Sequence, residues 1–333
     1  MKIELGKTEI IHFVGIGGIG MSGLSLIMQE KGFKVQGSDQ YINKNIARLK
    51  KENIKIFIGQ KRENLKNATI VVISSAIKKN NPEIIEAKKK KLPIISRGKM
   101  LAHIVSLTKN IVIAGSHGKT TTTSLVSSIF QNTKLDPTII NGGVINSLKS
   151  NAKLGKGDWA ILEADESDGS FLKLPINYSI VTNIDFEHID YYKSYKNLEN
   201  AFVQFINKTP PIGKSFICLD NDNIKKILSK IKNKNIFTYG FNKKANYKIS
   251  NPRYFVSHSI FDLHYKDINN NKTIIKNINL KLIGEHNILN ASAAVAICLN
   301  MGIKIPIIKK ALKSFSGVQR RMTKIFTKND NEF

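Results

Sequence analysis

The 333-residue sequence predicts two α/β domains, each built on a largely parallel sheet, and three observations carry that expectation. Gly15-Ile16-Gly17-Gly18-Ile19-Gly20 follows the apolar run Ile10-Ile11-His12-Phe13-Val14 and opens a helical stretch from Met21. Gly115-Ser116-His117-Gly118-Lys119-Thr120 stands in the same way between Ile111-Val112-Ile113-Ala114 and an apolar-faced helix at 124–130. Around both loops, short apolar runs alternate with helical periods, the rhythm of a parallel sheet covered by helices.

In the first domain, residues 1–106, strands are expected at 10–14, 33–38, 54–58, 69–73 and 93–95, with helices at 41–52, 82–91 and 99–106. The 19 mostly apolar residues from Ile10 to Met28 have the length of a membrane span, but five glycines, a histidine and two serines lie among them, so a buried strand and helix are expected instead. Asp39 follows Gly20 by 19 residues at the end of the second strand. Strand, G-x-G-x-x-G, helix and distal acid together form a dinucleotide-fold fingerprint, in which glycines admit a diphosphate and the acid faces ribose hydroxyls. Nicotinamide and other nucleotides both satisfy it. Within the run 69–77 the strand ends in Ser74 and Ser75, at the carboxyl edge where such sheets bind ligands.

The second domain, 107–318, is expected to hold strands at 111–114, 159–164, 178–182, 215–220 and 236–239, then antiparallel hairpins over 246–281. Its glycine loop lacks the first glycine of G-x-x-x-x-G-K-[ST], since Ile113 stands there, yet it keeps what phosphate chemistry requires. Backbone N–H groups and a helix N-terminus meet the anion, Lys119 adds a point charge, and Thr120 can reach magnesium. Glu163, 43 residues after Thr120, ends a buried strand and begins the acid-rich run Glu163-Ala164-Asp165-Glu166-Ser167-Asp168. An acid so placed commonly holds the metal beside such a loop. Asn287 and Asn290 fall on one face of a helix's first turn beside His286, a suitable arrangement for an adenine edge and ribose.

These phrases, in this order, resemble the Mur ligase superfamily. G-S-H-G-K-T-T is similar to its phosphate loop, E-A-D-E-S-D-G-S-F to the segment after its metal-binding glutamate, and V-T-N-I-D-F-E-H-I-D-Y to its second magnesium segment, which makes His188 a ligand. G-E-H-N-I-L-N-A-S-A-A and F-S-G-V-Q-R-R resemble its nucleotide-contacting helix and its arginine pair. The resemblance implies a Rossmann-like first domain that binds a UDP-sugar, and a central ATP-binding domain. It implies ATP contacts from Gly115, Ser116, His117, Gly118, Lys119, Thr120, Thr121, His286, Asn287, Asn290 and Arg320. UDP-sugar contacts fall on Gly15, Gly17, Gly18, Gly20, Ser38, Asp39 and Ser75. Magnesium falls to Thr120, Glu163 and His188, and catalysis to Lys119, Glu163 and His188.

Within the superfamily, G-I-G-G-I-G-M-S-G resembles the branch that joins L-alanine to UDP-N-acetylmuramate through an acyl phosphate; a branch that attaches a recycled tripeptide to the same sugar is the nearest alternative, and a nicotinamide-dependent oxidoreductase the remote one. A third, amino-acid-binding domain follows in the family, so residues 319–333 are expected to begin a linker to a domain these residues do not contain, and the chain alone to bind both nucleotides without forming the amide. With two cysteines and no visible signal peptide, a cytoplasmic monomer or homodimer is expected. Lys and Arg total 52 against 25 acids, but they are spread along the chain among abundant Asn and Ile, so neither a nucleic-acid nor a membrane partner is expected.

Overall fold

The computed structural model describes residues 8–106 and 108–318, with the backbone of 327–328 and 331–332; Arg320 and its neighbour Arg321 lie outside the described residues. Two compact units are present. Of the described residues, the first comprises 8–106, 108, 151–154 and 173–175, and the second 109–150, 155–172 and 176–318.

In the first unit, β1 (Ile10–Val14), β2 (Lys34–Asp39), β3 (Lys55–Ile58), β4 (Ile70–Ile73) and β5 (Ile94–Ser96) form one sheet in the order β3-β2-β1-β4-β5. Every pairing is parallel. The order reverses between β1 and β4, which opens a crevice at their carboxyl ends. Helices α1 (Ile19–Glu30), α2 (Lys44–Lys51), α3 (Pro82–Lys89) and α4 (Arg97–Ile104) complete the unit. Met21 to Met28 are buried along α1, and Ile11, Phe13 and Val14 are wholly buried in β1, so the apolar run from Ile10 is interior sheet and helix. No described helix is long and apolar enough to cross a membrane.

A polar network runs through this apolar interior. Glu83 on α3 is fully buried; its carboxylate accepts from Ser38 Oγ (2.6 Å) and Asn64 Nδ2 (2.6 Å), and His12 Nε2 stands 3.4 Å away. Gln36 Nε2 lies 3.2 Å from His12 Nδ1 and donates to Asn64 O. A buried carboxylate is tolerated only when donors surround it, and its donors are costly to strand. Glu83→Ala is therefore expected to cost about 1–3 kcal/mol of local stability, the range for stranding buried donors such as Ser38 Oγ and Asn64 Nδ2. Hydrogen exchange of the β1 and β2 amides in the intact chain reads it, and unchanged protection would show that the network carries no stability.

The second unit's sheet contains β6 (Lys109–Ala114), β7 (Thr138–Ile145), β9 (Trp159–Glu163), β10 (Tyr178–Val181), β11 (Lys214–Cys218), β12 (Ile236–Gly240), β13 (Tyr247–Tyr254), β14 (Ser259–Lys266) and β15 (Lys272–Leu280). These run in the order β15-β14-β13-β12-β11-β10-β6-β9-β7. Pairing is parallel from β7 to β13, and β13, β14 and β15 form the expected antiparallel hairpins. Two strands escaped the sequence reading. β7 carries Asn141-Gly142-Gly143, residues that usually break strands, and the short β8 (Ser150–Lys153) has little apolar content. Asn151 and its neighbours through 154 group with the first unit, where Asn151 Nδ2 donates to Ile19 O (2.7 Å) and Arg48 Nη2 donates to Asn151 Oδ1 (2.9 Å). Helices α5 (Lys119–Gln131), α6 (Ile189–Tyr192), α7 (Tyr195–Asn207), α8 (Asp222–Ile227), α9 (Glu285–Asn300) and α10 (Ile305–Lys313) complete the unit.

Candidate functional site

β6 lies between β9 and β10, in parallel register with Ile113 opposite Glu163 and Ala114 opposite Val181. The topology thus delivers the phosphate-type loop, the acidic run and the segment around His188 to one sheet edge. Gly118 caps α5 in the left-handed region (φ 80°), and the helix begins at Lys119, so its first N–H groups face the loop.

The β10–α6 segment braces that loop. Asn183 Oδ1 accepts from the His117 N–H (2.7 Å), Thr182 Oγ donates to His117 O (2.6 Å), and the Asp185 N–H donates to Ser116 Oγ (2.8 Å). His117 Nε2 stands 3.2 Å from Asp185 and 3.6 Å from Glu187. Thr182 and Asn183 belong to the quoted phrase V-T-N, yet nothing in their spacing showed that they fasten the loop.

Lys119 folds back. Its Nζ donates to Gly115 O (2.5 Å), Ser116 O (2.9 Å) and Glu166 Oε1 (2.8 Å). Thr120 Oγ donates to Glu163 Oε1 (2.9 Å), and the Gly142 N–H donates to Glu163 Oε2 (2.5 Å). A Cβ at Gly142 would fall against the Glu163 carboxylate, so any larger residue there displaces that side chain from its present partners.

The histidine lies apart from the threonine–glutamate pair. Glu166, Glu187 and His188 place donor atoms within 4.8 Å of one another, whereas Glu163 is outside that cluster and faces Thr120 and Gly142. His188, expected beside Glu163, has its Nε2 3.4 Å from Glu166 Oε1 and a left-handed backbone (φ 59°). Tyr192 donates its hydroxyl proton to Glu166 O (2.5 Å), fixing the acidic loop against α6. Glu166 was one acid among four in the sequence; burial singles it out.

Burial pushes the Glu163 carboxyl above the usual carboxylate range, against the lowering effects of the Gly142 N–H, Thr120 and Lys119. Burial raises Glu166 likewise, opposed chiefly by Lys119. A carboxyl whose folded pKa is raised disfavours folding in its ionised form: the stability is intact below the unfolded value, about 4.3, and falls as pH rises through the folded one. Glu163→Gln is therefore expected to raise the melting temperature of the ligand-free protein at pH 8, with the advantage vanishing toward pH 4. A destabilised variant at pH 8 would mean that the three partners outweigh desolvation.

Beside the loop a cleft of about 300 Å³ is lined by His117, Gly118, Thr121, Asn287, Asn290 and His286, among others. Thr122 Oγ donates to Asn290 Oδ1 (3.2 Å), tying α5 to α9, and Asn287 Nδ2 donates to Ile283 O (2.8 Å). His286 is exposed at the rim, with Leu282, Tyr239 and Phe315 supplying apolar wall.

In the first unit, the Gly15 and Ile16 N–H groups both donate to Ser38 O (2.9 Å each). The Gly17 N–H donates to Asp39 Oδ2 (2.8 Å), and Asn45 Nδ2 donates to Gly17 O (2.8 Å). Gly18 caps α1, and Arg97 lies over Gly20, where an added Cβ would meet Nη1 at 2.8 Å. Ser75 is exposed in the turn after β4. The Ser38 side chain points elsewhere: it is wholly buried on Glu83, so of the residues expected around a UDP-sugar it presents no hydroxyl to the crevice.

Comparison with known proteins places the chain in a family. Residues 10–109 match the Mur ligase family catalytic domain and residues 113–298 the Mur ligase middle domain. The chain is 62% identical over 333 residues to the UDP-N-acetylmuramate–L-alanine ligase of Pelagibacter ubique (strain HTCC1062), covering all of this chain and 72% of that protein. It is 45% identical over 332 residues to the ligase of the same name from Brucella anthropi, of which it covers 71%. The crystal structure of UDP-N-acetylmuramate-alanine ligase MurC from Thermotoga maritima superposes with a TM-score of 0.85 at 29% identity, covering 96% of this chain and 71% of that one. A murein peptide ligase from Psychrobacter arcticus, at 23% identity and a TM-score of 0.83, shares the fold. With both domain matches in order and a relative 62% identical over all 333 residues of this chain, the chain belongs to the Mur ligase family.

Proposed function

We propose that this protein takes part in the ATP-dependent joining of L-alanine to the lactyl carboxylate of UDP-N-acetylmuramate. Supporting this reading above all is the pairing of Thr120 with Glu163 and of Lys119 with Glu166 at the mouth of a loop that opens beside a cleft lined by Asn287 and Asn290. ATP would seat its base in that cleft and its phosphates on the loop and the N-terminus of α5. The carboxylate attacks the γ-phosphate, releasing ADP and giving an acyl phosphate, and the amine of L-alanine attacks the acyl carbon, releasing inorganic phosphate and losing a proton as the amide forms. No enzyme nucleophile is needed, so positioning and charge stabilisation supply the catalysis. Lys119 leaves its carbonyl partners to meet the transferred phosphoryl group.

The donor set of Thr120 and Glu163, a hydroxyl and a carboxylate oxygen side by side at the loop, suits magnesium. Thr120 and Glu163 are the residues we assign to hold it, where, when bound, it would neutralise charge on the phosphates; His188 faces Glu166 and Glu187 instead. The UDP-sugar is assigned to the crevice between β1 and β4, with Gly15, Gly17, Gly18, Gly20 and Asp39 beside its diphosphate and ribose.

Calorimetry distinguishes this reading from a nicotinamide enzyme. UDP-N-acetylmuramate and ADP are expected to bind together and NADH not at all, whereas NADH binding that UDP-N-acetylmuramate fails to displace would overturn it. Incorporation of labelled L-alanine against labelled tripeptide identifies the acceptor.

A further inference from the structure

Glu166 has three properties that no assignment above uses together. It is 2% exposed, its Oε1 holds the Lys119 ammonium at 2.8 Å, and its Oε2 is buried with no hydrogen-bond partner. A carboxylate oxygen left empty in the interior is costly, and such orphans mark an absent ligand or a strain reservoir. Here the empty oxygen belongs to the group that also stands 3.4 Å from His188 Nε2, within the Glu166–Glu187–His188 cluster. Lys119 for its part has its three protons spent on Gly115 O, Ser116 O and Glu166, so in this state it offers none to a phosphate.

We propose that Glu166 is a positioning residue shared by two partners: it holds Lys119 back while the loop is empty, and when a nucleotide phosphate takes the lysine, the released carboxylate joins His188 and Glu187 as a divalent-cation ligand. The lysine and the cation compete for one carboxylate. Phosphate binding removes the competitor, so nucleotide and cation favour each other through Glu166 as well as through direct contact, and the coupling is reciprocal. The inference rests on the loop being a nucleotide site, and it concerns a residue the metal assignment above leaves out.

The two arms of the test carry opposite signs, which a merely structural role does not produce. ADP affinity is measured by calorimetry in EDTA, and Mn²⁺ affinity by electron paramagnetic resonance without nucleotide. Glu166→Gln is expected to tighten metal-free ADP binding about tenfold, since a charge-assisted hydrogen bond to Lys119 no longer has to be broken. It is expected to weaken Mn²⁺ binding by about the same factor. Lys119→Ala is expected to tighten Mn²⁺ binding, having freed the carboxylate. Should Glu166→Gln misfold, Glu166→Asp keeps the charge and is expected to retain Mn²⁺ binding without tightening ADP. Glu166→Gln weakening both ligands, or leaving Mn²⁺ binding unchanged, overturns the proposal while wild-type ADP binding leaves the nucleotide site standing. Wild-type protein that binds no ADP would remove both readings at once.

Discussion

Replacing Lys119 with alanine is expected to lower ATP-dependent amide formation by about 10²–10³-fold, the cost of removing one donor that meets developing charge. Affinity for UDP-N-acetylmuramate is expected to stay within about twofold, since a substitution that removes no contact to that ligand leaves its binding nearly untouched. The separation has a structural basis. Lys119 belongs to the second unit, where it touches Gly115, Ser116 and Glu166, while the glycine loop from Gly15 to Gly20 and its partner Asp39 belong to the first. Phosphate release with the UDP-sugar and L-alanine present gives the rate, and calorimetry gives the affinity. Loss of UDP-sugar binding along with activity would show that the two nucleotide sites are not independent.

The second large effect is expected at Gly115. Its φ is 140°, a conformation L side chains rarely adopt, and an added Cβ would lie 2.0 Å from Thr182 Oγ and 3.1 Å from the Asn183 backbone nitrogen. Gly115→Ala must therefore push the loop away from the segment that braces it, breaking the register in which Asn183 holds the His117 N–H. Strain at one such residue costs on the order of 1–3 kcal/mol, and displaced loop amides no longer converge on a phosphate. ADP affinity is expected to fall about 100-fold or more, equivalent to about 2.7 kcal/mol. Adding Thr182→Ala removes the nearest clash and is expected to recover only part of the loss, because the φ angle stays unfavourable. Full recovery would show that the contact with Thr182, and not the backbone, makes glycine necessary.

Both effects concern residues that the sequence pointed to, but the reasons for their size were not in it. The two glycine loops were legible because a strand, a loop and a helix follow each other locally, and local order needs no knowledge of neighbours. Asn287 and Asn290 were legible for the same reason, being three apart on one helix. The strand containing Asn141-Gly142-Gly143 was not. Its propensity argues against a strand, and what holds it is distant: Asn141 Nδ2 donates to Ser124 Oγ (2.9 Å), and the Gly142 N–H meets Glu163 across the sheet. Tertiary contacts override propensity there.

The sequence by itself determined which chemistry is present: a lysine and threonine at a phosphate-sized loop, acids at the end of a buried strand, a histidine beyond the next strand, and a second glycine loop with a distal acid. Only the tertiary structure decided how these pair. Placing β6 between β9 and β10 brings Glu163 to Thr120, Glu166 to Lys119, and His188 to Glu166; in the first unit, the meeting of β2 with α3 buries the Ser38 side chain on Glu83, where the family resemblance had implied a contact to the UDP-sugar. The physical reason is that residue type and spacing fix what a group can do, whereas the partner of a carboxylate depends on which strands adjoin and which donors burial leaves within reach. Those are properties of the strand order, set by contacts far apart along the chain.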